Sequence, residues 1–185
     1  GMLEQEVPRK ESKVLSFTDN RQDASLQAGH LNDFVQTAQV RAGLVEALEQ
    51  HAQLGFEELG QTIFHALDLS PSDFLKETVS SGPGYEQGGD ALRDLLQYRA
   101  LEDQSRGWRV IQPNLEQTGQ LTIEYYGLDR LVANDILWAN VPAIDAASHQ
   151  RRFDVIKAFL DHLRTQLAIA APPLKREATQ NLSQR

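Results

Sequence analysis

The chain has 185 residues and a mass of 20.7 kDa, with 41% hydrophobic and 24% charged residues. That balance excludes a disordered segment and allows one core, or one core with a small satellite. A net charge of −8 argues against a surface that is a nucleic-acid platform throughout, and the absence of cysteine excludes disulfides and thiolate metal sites. No apolar run approaches the roughly 20 residues of a membrane span, and the first residues lack a basic segment followed by an apolar core, so the expectation is a cytoplasmic protein with no membrane partner.

In chain order, Gly1 before Met2 reads as the remnant of a cleaved tag, and residues 1–12 read as that scar and a polar linker. Residues 13–30 follow as "KVLSFTDNRQDASLQAGH". Val14, Leu15 and Phe17 make an apolar run too short for a helix and predict a strand. The polar cluster after it predicts a helix start, with Asp19 or Asn20 at the N-cap. Asn20 can accept from an early helical N–H, and Asp23 can reach back to the cap or pair within a core.

Residues 31–171 predict a mainly helical domain. Leu31, Phe34, Ala38, Ala42, Val45, Leu48 and Ala52 recur at helical spacing, and one amphipathic helix ending near Gly55 covers them. Phe56, Leu59, Ile63 and Leu67 mark a second helix. Ser70 as N-cap with Pro71 at the first helical position marks a third. "SSGPGYEQGG", Ser80 to Gly89, predicts a flexible loop, since a phosphate-cradling GxxxxGK(S/T) is absent. Leu92, Leu95, Leu96, Ala100 and Leu101 mark a fourth helix ending around Gly107.

The period then changes. Trp108, Val110 and Ile111 predict one strand and Leu121 to Tyr126 another, with turn residues between, so a hairpin is expected over about 108–126. Three helices followed by a hairpin give a mainly α fold with a small β-hairpin, an α+β arrangement with a winged-helix-like element whose wing is Pro113 to Gly119. Leu128 to Trp138 returns to helical spacing. Ser148 can cap a last helix carrying Phe153, Ile156, Phe159, Leu160, Leu163 and Leu167 on one face. Residues 172–185 open with Pro-Pro and read as a polar tail.

Few chemical sites emerge. Arg93, Arg99, Arg106 and Arg109 alternate with Asp94, Glu102, Asp103, Glu116 and Glu124, a mixed solvated surface and no phosphate-binding stripe. The five histidines lack a ligand spacing, so no metal ligand is assigned. Ser25 and His30 do not form a supported nucleophile–base pair, and Asn181-Leu182-Ser183 is a chance glycosylation pattern. No catalytic residue is assigned.

"VLSFTDNRQDASLQAGHLNDF", Val14 to Phe34, closely resembles a segment of large bacterial superfamily 2 DEAD/DEAH-box helicases, where a "FTDNRQDAS"-type sequence opens the second RecA-like motor domain. "RGWRVIQPNLEQTGQLTIEYYGLD", Arg106 to Asp129, resembles that family's downstream region, in the same order. The resemblance implies that residues 13–30 are the first strand and helix of that motor domain and that the rest is a helical insertion. It implies a nucleic-acid phosphate held at the helix start by free backbone N–H groups, with Thr18, Asn20 and Arg21 in contact. A P-loop, a DEAD or DEAH tetrad and an arginine finger are missing from this sequence, so no cofactor belongs to this chain, and ATP and Mg belong to the parent motor. The partners implied are the remainder of the motor and DNA or RNA. The alternative expectation is a free-standing helical, winged-helix-like module for protein–protein interaction.

Overall fold

The computed structural model describes residues 21–74, 81–106 and 113–175. The chain divides into two units, Gly1–Gln36 and Thr37–Arg185. The first helix, α1, spans Arg21–Gln50. Asn20 itself and the predicted strand at Val14 to Phe17 lie outside the described residues. In the first unit, Leu31, Phe34 and Val35 are exposed.

In the second unit α1 buries Val40, Gly43, Leu44 and Ala47. This corrects the expected core face. Ala38 and Ala42 of the expected row are exposed, and Val45 and Leu48 are only half-buried at the core's margin. The reason is that α1 carries two apolar rows, and a glycine decides between them. A Cβ at Gly43 would stand 2.9 Å from Leu67 Cγ and 3.0 Å from Ile63 Cγ2. The missing side chain lets the second helix close in on that side.

That helix, α2, spans Leu59–Ala66 and buries Gly60 and Ile63. Ile63 is fully enclosed, which stabilises by about 2–3 kcal/mol relative to exposure. Phe56, expected on this helix, lies in the turn before it and is exposed. Next comes α3, Pro71–Phe74. Its start has the expected residues in altered roles: the Ser70 backbone N–H and hydroxyl both donate to Asp73 Oδ2, at 2.8 and 2.7 Å. The acid reaches back, completing half of a capping box. These bonds, the hydroxyl's first and then the backbone's, hold the Asp73 carboxyl below its ordinary value.

α4 spans Pro83–Arg106. The loop expected at Ser80 to Gly89 is therefore largely helix. Gly82, at φ 100°, supplies the turn, Pro83 occupies the first helical position, and Glu86 N–H donates to the Gly82 carbonyl at 3.1 Å. Gly89 is buried within the helix. At Gly60 α2 presses on α4, where a Cβ would sit 2.2 Å from the Arg93 carbonyl oxygen. Leu96 and Ala100 complete a core with Val40, Leu44, Ile63 and Leu115.

The hairpin and wing are corrected as well. Its first arm, Trp108 to Ile111, lies outside the described residues, and among the described residues there is no strand. The supposed wing is a short helical turn. Asn114 and Gln117 cap each other, Gln117 N–H to Asn114 Oδ1 at 2.8 Å and Asn114 N–H to Gln117 Oε1 at 3.0 Å. Gly119, at φ 73°, closes the turn while Gln120 N–H donates to the Leu115 carbonyl at 2.9 Å, a left-handed helix ending. The turn-forming residues were real signals, but they terminate a helical turn. What is supported is a mainly helical fold.

The helical spacing at Leu128 to Trp138 resolves into α5, Leu128–Val132, and α6, Asp135–Trp138; α7, Pro142–Asp145, was not anticipated. α8 spans His149–Thr165, with the Ser148 hydroxyl accepting from Arg151 N–H at 3.3 Å as predicted. A 3₁₀ turn, Pro172–Leu174, lies in what was read as the tail, and Pro173 is buried. No described helix is long and apolar enough to cross a membrane.

Candidate functional site

Of the residues assigned to nucleic-acid contact, Thr18 and Asn20 lie outside the described residues. Arg21 and Asp23 lie on α1, Arg21–Gln50. Ser25 and His30 both lie on α1, and five residues turn a helix by about 140°, which separates them around its axis.

The described polar groups gather at three arginines. Arg41 of α1 makes a two-pronged pair with Asp103 of α4, Nε to Oδ2 at 3.0 Å and Nη2 to Oδ1 at 2.8 Å. Asp103 is buried, so it is no part of a solvated charge surface, contrary to expectation. It lies in register with Leu96 and Ala100 on α4, so a carboxylate on an apolar row was the available signal for a buried cation partner. Close by, Gln97 Nε2 donates to the Phe56 carbonyl at 2.8 Å and fixes the turn before α2. Arg93 lies over the Phe64 ring, 5.4 Å from its centre, and also pairs with Asp90.

The second centre is Arg164 of α8. Its guanidinium donates to Glu116 Oε2 at 2.7 Å, to the Gln104 carbonyl at 3.1 Å and weakly to the Tyr125 hydroxyl at 3.4 Å. Buried Asn114 donates to the same Gln104 carbonyl at 3.1 Å. Tyr125 in turn donates to Asp161 Oδ1 at 2.8 Å, and Lys157 donates to Asp161 Oδ2 at 2.7 Å. Burial pulls the Asp161 carboxyl upward, but the bonds from Lys157 and Tyr125 outweigh it and hold the group below its ordinary value. Burial raises Tyr125 above its ordinary value, so its phenol is a donor and no base at neutral pH.

The third centre is Arg152, buried although it is a cation. Its guanidinium donates to the Ile144 carbonyl at 3.0 Å, the Val132 carbonyl at 3.2 Å, the Asp145 carbonyl at 2.7 Å and Asp135 Oδ1 at 2.5 Å. One side chain thus satisfies the last carbonyls of α5 and α7 and the first-turn carboxylate of α6. The Arg152 bond holds the Asp135 carboxyl below its ordinary value. Arg152 falls inside the helical sector of Ile156, Phe159 and Leu163, which the sequence reading passed over.

These arginines meet carboxylates and backbone carbonyls, an arrangement suited to holding short helices together. Among the described residues, no three or more His, Asp or Glu side chains gather so as to hold a metal ion. Compared with protein-family models, with curated proteins and with solved structures, the chain shows no match.

Proposed function

We propose that this chain is a non-catalytic segment of an ATP-dependent DNA or RNA helicase that supports nucleic-acid engagement or packing between motor domains. The observation that carries the reading is the sequence Val14 to Phe34, "VLSFTDNRQDASLQAGHLNDF", followed in the same order by the second similar segment, Arg106 to Asp129. A long helix, Arg21–Gln50, carries Arg21 and the residues that follow it in that segment. ATP and Mg would be held by the remainder of the motor, and the chain alone should have no ATPase that nucleic acid stimulates.

The first test is the reading frame on both sides of this segment. A P-loop and a DEAD or DEAH tetrad in the same frame are expected; a frame closed on both sides with neither would end the proposal. Within such a parent, Arg21→Ala should weaken nucleic-acid binding alike across sequences and make its salt dependence shallower by roughly one phosphate contact. An unchanged affinity and salt slope in the folded variant would leave the Thr18 to Arg21 cluster as a helix cap only.

A further inference from the structure

The helical row on α8 is cut short against its own sequence. Phe153, Ile156, Leu160 and Leu163 share one face and Leu167 continues it at the next four-residue step, yet the helix ends at Thr165. The residues after it, Gln166-Leu167-Ala168-Ile169-Ala170, contain no glycine or proline and are mostly strong helix formers. Composition therefore does not end this helix.

A backbone turn at Leu167 does. Leu167 stands at φ 54°, its N–H donates to the Arg164 carbonyl at 2.9 Å, and the Ala168 N–H donates to the Leu163 carbonyl at 2.9 Å. This is the two-bond left-handed ending that glycine ordinarily supplies. Among the described residues the other non-glycine at positive φ is Asp68, a type that tolerates it, whereas a leucine is crowded there by its own Cβ. Such a conformation persists only where the surroundings hold it. The hold lies downstream: the turn Pro172–Leu174 packs on α4, with Ala171 buried and Pro173 fully enclosed, while Gln166, Ala168 and Ala170 stay exposed. The segment is anchored at its far end and strained at its near end.

We infer that residues 166–174 form a two-state strap: docked, they turn away at Leu167 and cover part of α4; released, they continue α8 through Ala170. The limit at Ala170 comes from Pro172, which keeps Ala171 out of helical backbone, as its ψ of 136° shows. Each state has its own gain. Docking buries Ala171 and Pro173 at the cost of a left-handed leucine, and release relaxes that leucine, returns it to the apolar row and adds further rungs to the α8 ladder. Arg164 lies inside the helix in both states, so its bond to the Gln104 carbonyl survives the exchange. The length of α8 is thereby coupled to exposure of the α4 surface beneath Ala171 and Pro173.

NMR on the full chain tests this, with Cα shifts of residues 166–170 reporting the backbone and exchange of the Leu174 amide, which donates to the Ala171 carbonyl at 3.1 Å, reporting docking. Leu167→Gly and Leu167→Ala differ by one methyl group but have opposite preferences: glycine enters the left-handed region freely and disfavours helix, and alanine does the reverse. The Leu174 amide should exchange about tenfold or more slowly in the glycine variant than in the alanine one. Pro173→Asp sets a carboxylate where the proline is enclosed, so the strap should lift, the shifts of 166–170 should move to helical values, and amides of α2 and α4 should keep their protection. Coil shifts at 166–170 in that variant, a strap that stays docked in it, or equal Leu174 exchange in the two Leu167 variants would each overturn the inference. Loss of α2 and α4 protection in Pro173→Asp would also overturn it, by making the segment part of the core.

Discussion

The region around α2 and α4 and the region from α5 to α8 are both helical, yet they are held by different physics. In the first, α1, α2 and α4 bury Leu44, Ile63, Leu96 and Ala100, and glycines stand where a Cβ would crowd neighbouring side chains, at 43, or a backbone carbonyl, at 60. In the second, α5, α6 and α7 are four or five residues long and bury little: of their residues only Leu128 and Val132 are enclosed. Helices that short leave most of their end carbonyls without ladder partners. Arg152 supplies donors for them, and Arg164 does the same where α8 meets the end of α4. Where side-chain burial is scarce, a guanidinium with its fork of donors takes over the joining role.

The contrast can be broken at either end. The largest effect is expected at Gly60: Gly60→Ala places a methyl 2.2 Å from a backbone carbonyl that cannot turn away, so α2 and α4 must separate. The loss should reach or exceed about 3 kcal/mol, at the upper end for overpacking, in a denaturant titration. Arg41→Ala strands the buried Asp103 carboxylate and should cost about 3 kcal/mol by the same measurement, whereas Asp103→Asn should cost less because Arg41 is partly open to water.

A smaller effect is expected from pH. The Asp161 carboxyl is held below its ordinary value in the folded chain, so its contribution is fully present above about pH 4, the unfolded carboxylate range, and is lost as pH falls through the folded value. Thermal melts of wild type and Asp161→Asn should differ most near neutral pH and converge as acidification carries the group below its folded value. A gap that widens on acidification would reverse the sign. The smallest effect is at the surface: Ile136→Gln should change stability by no more than about 0.5 kcal/mol, because that side chain is already in water.

Features set by local side-chain chemistry were legible in the sequence, and those set by contacts between distant elements were not. Pro71 at the head of α3 and the Ser148 cap of α8 were readable because each rests on a local rule of side-chain chemistry. The face of α1 was not, since two apolar rows run along it and only the close approach at Gly43 selects the buried one. The wing was misread because Asn114 and Gly119 serve a capped helical turn as well as they serve a hairpin, and local residues do not say which. Arg152 was legible in principle, as a cation within the apolar sector of α8, but its acceptors come from separate short helices that no periodicity announces. Of the candidate contact and capping residues, Arg21 and Asp23 lie on α1, while Thr18 and Asn20 lie outside the described residues.

The claim that hydrogen bonds from one guanidinium, and not apolar burial, organise α5 to α7 is tested most directly by hydrogen exchange on Arg152→Met. Methionine keeps much of the length and all of the apolar character of the stem but removes every donor. Amides of residues 128–147 should exchange about tenfold faster or more, while those of α2 and α4 keep their protection. Protection of 128–147 that survives the substitution, or a loss spread evenly over the whole domain, would contradict the account.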